Sequence, residues 1–185
     1  MHPAVFLDRD DTLIEANSLP SPPPPAAAGD LVDPALVRLL PGALEACTRL
    51  HAARFTLIII SNQGVVARGG LTIAGVERVN DAVRALLPGL IDAVYFCPYH
   101  PRGTVEPYAR EHPWRKPNPG MILAARDELN IDLARSWLVG DAARDIEAGI
   151  AAGIAANRCL RIGTDQPIPS LRAATDTILR QAPHG

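Results

Sequence analysis

The stretch FTLIIIS, residues 55 to 61, limits the fold more than any other part of the chain. Its apolar residues run on without the alternation of a half-exposed strand, and the run is too short for a buried helix. Branched side chains favour an extended backbone. A strand apolar on both faces needs helices above and below it, and that is the setting of a parallel sheet. Leu57–Ile60 is far too short to span a bilayer.

Other segments repeat the pattern. AVFLD from Ala4, IDAVYF from Ile91, SWLVGD from Ser136 and IAANRCL from Ile154 read as further strands. Between them, PGALEACTRLHAARF from Pro41 carries helix-start signals and sets Leu44, Cys47 and Leu50 on one face. Val76–Leu87 places Val79, Val83 and Leu86 along one side, and PGMILAARDEL from Pro119 and Asp145–Ala152 follow as helices. Residues 170–180 suit a terminal helix. Strands alternating with helices predict an α/β fold, a three-layer sandwich around a mostly parallel sheet. With 185 residues and 48% apolar composition, we expect a single domain over 1–185.

Residues 18–30, SLPSPPPPAAAGD, cannot be a helix interior or a central strand, because four consecutive prolines remove backbone donors. A stiff surface loop is expected there. An SH3-type ligand is the alternative.

A net charge of −2 gives no general affinity for nucleic acid or anionic membranes. The beginning of the chain lacks a basic region followed by an apolar stretch. Cys47, Cys97 and Cys159 are too few and too scattered for a disulfide framework. A cytoplasmic protein is expected. His2 and His184 are expected in disordered termini.

The polar residues at the strand ends carry the chemistry. Asp8, Ser61 and Asp141 should emerge at one edge of a parallel sheet, where ligands of open α/β folds bind. Asp10 lies two positions beyond Asp8. Converging carboxylates repel unless a cation joins them, and an all-oxygen set suits Mg²⁺. An aspartate can also attack phosphorus, with a second carboxyl moving the proton. Lys116 could neutralise a phosphoryl group, and Arg68 and Arg115 another charged part of the substrate. Taken singly, each feature has a plain structural explanation. The acids could form a solvated turn or a helix cap, Lys116 could lie on the surface, and His112 could simply pack in its loop.

Taken together, LDRDDTL, SNQ, RKPNPGM and GDAARDI occur in the order found in haloacid-dehalogenase-like phosphatases. LLPGA, SNQGVVARG and CPYHPRG narrow the resemblance to the histidinol-phosphate and D-glycero-D-manno-heptose 1,7-bisphosphate phosphatases. The resemblance covers roughly residues 4–162. It implies a Rossmann-like sheet without a large cap domain. It implies Mg²⁺-dependent phosphomonoester hydrolysis through an aspartyl-phosphate, with Asp8 as nucleophile and Asp10 as general acid and base. Ser61 and Asn62 would sit at the phosphate. Lys116 would steady nucleophile and phosphoryl group. Asp8, the Asp10 carbonyl and Asp141 would hold the metal, and Asp145 would support it and Lys116 from nearby. Arg68 and Arg115 would contact substrate. That substrate would be a small phosphorylated metabolite, first of all the heptose bisphosphate at its 7-phosphate, otherwise histidinol phosphate or another sugar phosphate. A phosphotransferase and a non-catalytic binding protein are the remaining alternatives. The expected state is a monomer or small homo-oligomer.

Three features depart from the family pattern. Asp11 replaces a glycine, and NQGV puts Val65 where a glycine is usual. The zinc-binding set of close relatives falls on Cys97, Tyr99, His112 and Trp114. Even with His100 recruited, only three donors remain, so no structural zinc is expected. Aromatic and proline packing should hold this loop instead.

Overall fold

The computed structural model describes residues 1–181. Its sheet has five parallel strands. They are β1 (Ala4–Leu7), β2 (Thr56–Asn62), β3 (Ala93–Cys97), β4 (Trp137–Gly140) and β5 (Cys159–Arg161), in the order β3-β2-β1-β4-β5. The helices are α1 (Ala43–Ala52), α2 (Ile73–Leu86), α3 (Gly120–Leu129), α4 (Ala143–Ala152) and α5 (Leu171–Gln181).

The two faces of the sheet are built from alternate side chains of the same strands. Val5, Leu7, Leu57 and Ile59 pack with Cys47 and Leu50 of α1, Val79 and Val83 of α2, and Ile178 of α5. Ala4, Phe6, Ile58 and Ile60 point the other way, onto Met121, Ile122 and Ala125 of α3 and Ala148 of α4. This is the expected three-layer sandwich. It explains why the FTLIIIS segment shows no polar alternation.

The helix faces differ in detail from the sequence reading. Leu44 is 47% exposed, because α1 buries Ala43, Ala46, Cys47 and Leu50. In α2, Leu86 is largely exposed and Leu87, just beyond the helix, takes the core position. That helix begins three residues earlier than expected, since the Thr72 hydroxyl accepts from the Gly75 N–H and caps it. His2 is not disordered. Its N–H donates to the Asn130 carbonyl at 3.1 Å and its carbonyl accepts from Asp132 at 2.8 Å, which pins the chain start to the α3–β4 connection. His184 lies outside the described residues.

Residues 18–30 have no regular structure and lie mostly at the surface, as expected of the proline run. Among the described residues, the chain between β1 and α1 holds only a short 3₁₀ turn at Pro34–Leu36 and the chain between β2 and α2 holds no helix or strand, so no cap domain stands over the sheet edge. No helix among the described residues is long and apolar enough to cross a membrane.

Candidate active site

Chain order and sheet order diverge around β1. Strands β2 and β3 lie on one side of it and β4 and β5 on the other, so the carboxyl ends of β1 and β4 border a topological switch point. Asp8 follows β1 and Asp141 follows β4, and the Asp8 N–H still donates to the Val139 carbonyl at 2.9 Å. Ser61 and Asn62 end β2 on the other flank. The expected gathering of polar groups at one edge is therefore present.

Lys116 is the hub of this edge. Its side chain is buried, with Nζ 2.6 Å from Asp8 Oδ1, 2.7 Å from Asp145 Oδ1 and donating to the Ile60 carbonyl at 2.9 Å. Its backbone is clamped by Asn62, whose amide donates to the Lys116 carbonyl and accepts from its N–H, both at 3.0 Å. One strand-end side chain thus fixes the loop that delivers the lysine. Asp145 has a second task, since its Oδ2 accepts from the Ala142 N–H at 3.0 Å and closes the first turn of α4. It touches the lysine directly.

Burial sets the charge balance. It pushes the Asp8 carboxyl up to about 8, against the pull of the Lys116 ammonium beside it. Burial also works against the Lys116 ammonium, but Asp8 and Asp145 more than offset it, and its pKa is raised. Burial, and then Asp145, raise the Asp141 carboxyl. One lysine serves several crowded carboxylates. Asp141 Oδ1 is buried and has no hydrogen-bond partner among the described residues. Ligand oxygens of Asp8, Asp141 and Asp145 lie within 4.8 Å of one another. The orphaned oxygen and the all-carboxylate donor set fit a hard divalent cation.

Asp10 faces elsewhere. The buried Arg9 guanidinium grips its carboxylate at two points, Nε at 3.0 Å and Nη2 at 3.1 Å. Gln63 Nε2 donates to Asp10 Oδ2 at 2.9 Å, and Ser61 Oγ donates to the same oxygen at 3.4 Å. Arg9 is held in turn by Asn80 Oδ1 on α2 at 2.8 Å. Of the Asp10 oxygens, the backbone carbonyl is therefore the one left for a metal. Sequence reading missed Arg9, Gln63 and Asn80. Arg9 carried a signal, since a charged residue directly after a buried strand needs a partner. Asn80 carried none, because only packing brings α2 beneath the loop.

The cleft beyond these groups encloses about 340 Å³ and is lined by Asp10, Asn62, Gln63 and Asp141. Its outer wall includes Asp11, Asn17, Asp30 and Arg144. Arg144 was not singled out in the sequence. Arg68 does not line the cleft, and its Nη2 is held by both Asp30 oxygens, at 2.6 and 2.8 Å. Arg115 donates to the Tyr99 carbonyl at 3.2 Å.

The loop that would hold zinc in relatives is filled by rings. His112 stacks on Tyr99 with centroids 4.0 Å apart, and Trp114 meets Tyr95 edge-on at 5.9 Å. Nδ1 of His112 accepts from the Trp114 N–H and that of His100 from the Arg102 N–H. Cys97 is buried, which raises its thiol pKa.

Gly140 shows how tightly the site is built. A Cβ there would fall 2.5 Å from Asp145 Cβ and 2.6 Å from its Oδ2. Gly140→Ala is expected to push Asp145 off Lys116 and to cost roughly 1–3 kcal/mol, measured by urea unfolding. A variant as stable as wild type would show that this edge yields.

Comparisons with known proteins agree with this geometry. Residues 113–160 match the HAD-hydrolase-like family model. The chain is 34% identical over 181 residues to the D-glycero-beta-D-manno-heptose-1,7-bisphosphate 7-phosphatase of Escherichia coli K12, covering 96% of this chain and 88% of that one. A HAD-like protein from Mesorhizobium loti superposes with a TM-score of 0.77 at 34% identity, over 96% of this chain and 87% of that chain. The D,D-heptose 1,7-bisphosphate phosphatase of B. bronchiseptica, whose structure holds magnesium and phosphate, superposes with a TM-score of 0.74 at 26% identity, over 97% and 99%. With its lysine-bridged carboxylates at the sheet edge and this likeness along nearly its whole length, the chain belongs to the HAD-like hydrolases and is a phosphatase of the kind that includes the heptose-bisphosphate phosphatases.

Proposed function

We propose that this single-domain protein removes the 7-phosphate of D-glycero-D-manno-heptose 1,7-bisphosphate, with Asp8 as nucleophile. The observation that carries the reading is the buried Asp8 carboxylate. One oxygen is held at 2.6 Å by Lys116, and the group stands beside the unpartnered Asp141 oxygen. The relatives supply the substrate.

Asp8, Asp141 and the Asp10 carbonyl would hold Mg²⁺, with Asp145 behind them. When bound, the ion supplies positive charge to the phosphoryl oxygens. The chain's own groups do the rest. An Asp8 oxygen bonds to phosphorus as the ester oxygen leaves, and Asp10 gives that oxygen a proton. Asp10 then takes a proton from water as the water oxygen bonds to phosphorus and the Asp8–phosphorus bond breaks. Arg9, Gln63 and Ser61 keep Asp10 in place for both transfers. Lys116 neutralises charge on Asp8 and on the phosphoryl group. Ser61 and Asn62 would border the phosphate, and Arg144 on the cleft wall, with Arg115 as a further contact, would offer positive charge to a second phosphate. The protein works in the cytoplasm, on a small sugar phosphate, without nucleic acid or membrane, as a monomer or small homo-oligomer. It carries no structural zinc, and elemental analysis of metal-rinsed protein is expected to find none in stoichiometric amount.

The test is Mg²⁺-dependent phosphate release from both anomers of the heptose bisphosphate. Efficient release from the 7-position of one anomer supports the assignment. Little release from either, by folded and metal-loaded enzyme, would move the reaction to another phosphorylated metabolite.

Metal binding should depend on pH with a definite sign. The folded Asp8 carboxyl, at about 8, stands above its ordinary value near 3.8. Folding of the metal-free protein therefore keeps this group's full contribution below pH ~4 and loses it as pH climbs towards ~8. Mg²⁺ competes with that proton. Its apparent affinity is expected to rise up to about tenfold per pH unit and to level off above ~8. Mg²⁺ titrations followed by thermal melting check this, and an affinity flat between pH 6 and 8 contradicts it.

A further inference from the structure

Two unusual features of the sequence, Asp11 and the proline run, meet in one wall of the cleft. Asp11 adopts the left-handed region, with φ 55°. Its carboxylate accepts from the Ala16 N–H and the Asn17 N–H, each at 3.0 Å, and from the Asn17 side-chain amide. Asn17 is thereby fixed at the mouth of the Pro-rich loop. The far end of the loop closes on it at Gly29, whose φ is 83° and where a Cβ would fall 2.7 Å from Asn17 Oδ1. The loop body is seated on the turn after β2, since a Cβ on Gly70 would lie 2.9 Å from Ala26.

The residue that follows Gly29 is Asp30. Its Oδ2 accepts from the Ala27 N–H at 2.7 Å, and both oxygens accept from Arg68 Nη2. Arg68 thus stands behind Asp30, and Asp30, not Arg68, lines the cleft. A carboxylate has about four acceptor positions, so these contacts leave room for a further donor. With its charge offset by Arg68 and its position locked by the loop, it suits a hydroxyl hydrogen. It repels a phosphate.

We infer that Asp30 is a specificity-determining residue, a fixed acceptor that the Pro-rich loop presents to the hydroxyls of a polyhydroxylated leaving group, with Arg68 as its positioning partner. The inference rests on the proposed reaction for the identity of the cleft's occupant. It gives the Pro-rich loop a task and gives Arg68 an indirect one in place of direct substrate contact.

The experiment is calorimetric binding, with Mg²⁺, to Asp8→Asn protein, which holds ligand without turnover. The probes are the heptose bisphosphate and an alkanediol bisphosphate, which has two phosphates and no hydroxyl. Adding Asp30→Ala is expected to weaken heptose binding about tenfold and to change alkanediol binding less than about twofold. Asp30→Asn keeps an acceptor and should fall between. Asp11→Gly, which loosens the wall without touching Asp30, should give the same selective loss, smaller. Equal loss for both probes, or none for either, overturns the inference. A selective loss for the heptose in a protein whose wild type releases no phosphate from it would sustain the Asp30 role and refute the proposed reaction.

Discussion

Replacing Asp8 by Asn is expected to lower phosphate release by at least about 10⁴-fold while leaving the fold intact. The carboxamide keeps the shape of the side chain but has no anionic oxygen to bond to phosphorus. The fold should tolerate it for a physical reason. Burial already disfavours the Asp8 carboxylate, pushing its pKa up to about 8. Lys116 keeps Asp145 at 2.7 Å and the Ile60 carbonyl at 2.9 Å as partners. Circular dichroism and melting should therefore resemble wild type. Steady-state release under saturating Mg²⁺ reads the chemical loss. Full turnover by the variant would remove Asp8 from the nucleophile role.

Lys116→Met should damage both chemistry and stability. Methionine fills much of the same space but leaves Asp8 and Asp145 facing one another in a buried pocket without a counter-charge. Breaking a buried ion pair by removing one partner costs about 3–5 kcal/mol. The loss of charge at the phosphoryl group should lower kcat by about 10²–10³-fold. Mg²⁺ should restore part of the stability, because the metal supplies positive charge to the same carboxylates, but not the turnover. Urea unfolding with and without Mg²⁺ separates the two effects. A variant of wild-type stability in metal-free buffer would show that Lys116 is not the electrostatic hub of this edge.

Much of this architecture was legible because it depends on short patterns. Strands buried on both faces leave unbroken apolar runs, and FTLIIIS and SWLVGD are such runs. Parallel strands then force Asp8, Ser61 and Asp141 to one edge, whatever the loops do. Helix faces were less secure. In α1 a one-position shift exposes Leu44 and buries Ala43 and Ala46, and small residues give a weak periodic signal. Contacts between distant segments were not legible at all. Nothing local marks Asn80 as the anchor of Arg9, or Asp30 as the partner of Arg68. Asp145 reads locally as a helix cap and is one, while its nearness to Lys116 was implied by the family resemblance alone and arises because α4 follows the strand beside β1. His2 was misread because a two-bond attachment to a distant loop has no signature in three residues.

The most direct test of the central claim is to trap the covalent step. Enzyme mixed with Mg²⁺ and the heptose bisphosphate, quenched in acid within one turnover and digested, should yield a peptide spanning Asp8 that has gained one phosphoryl group. The modification should vanish in Asp8→Asn. A phosphoryl group on another residue, or none on any peptide while phosphate is released at full rate, would contradict the mechanism.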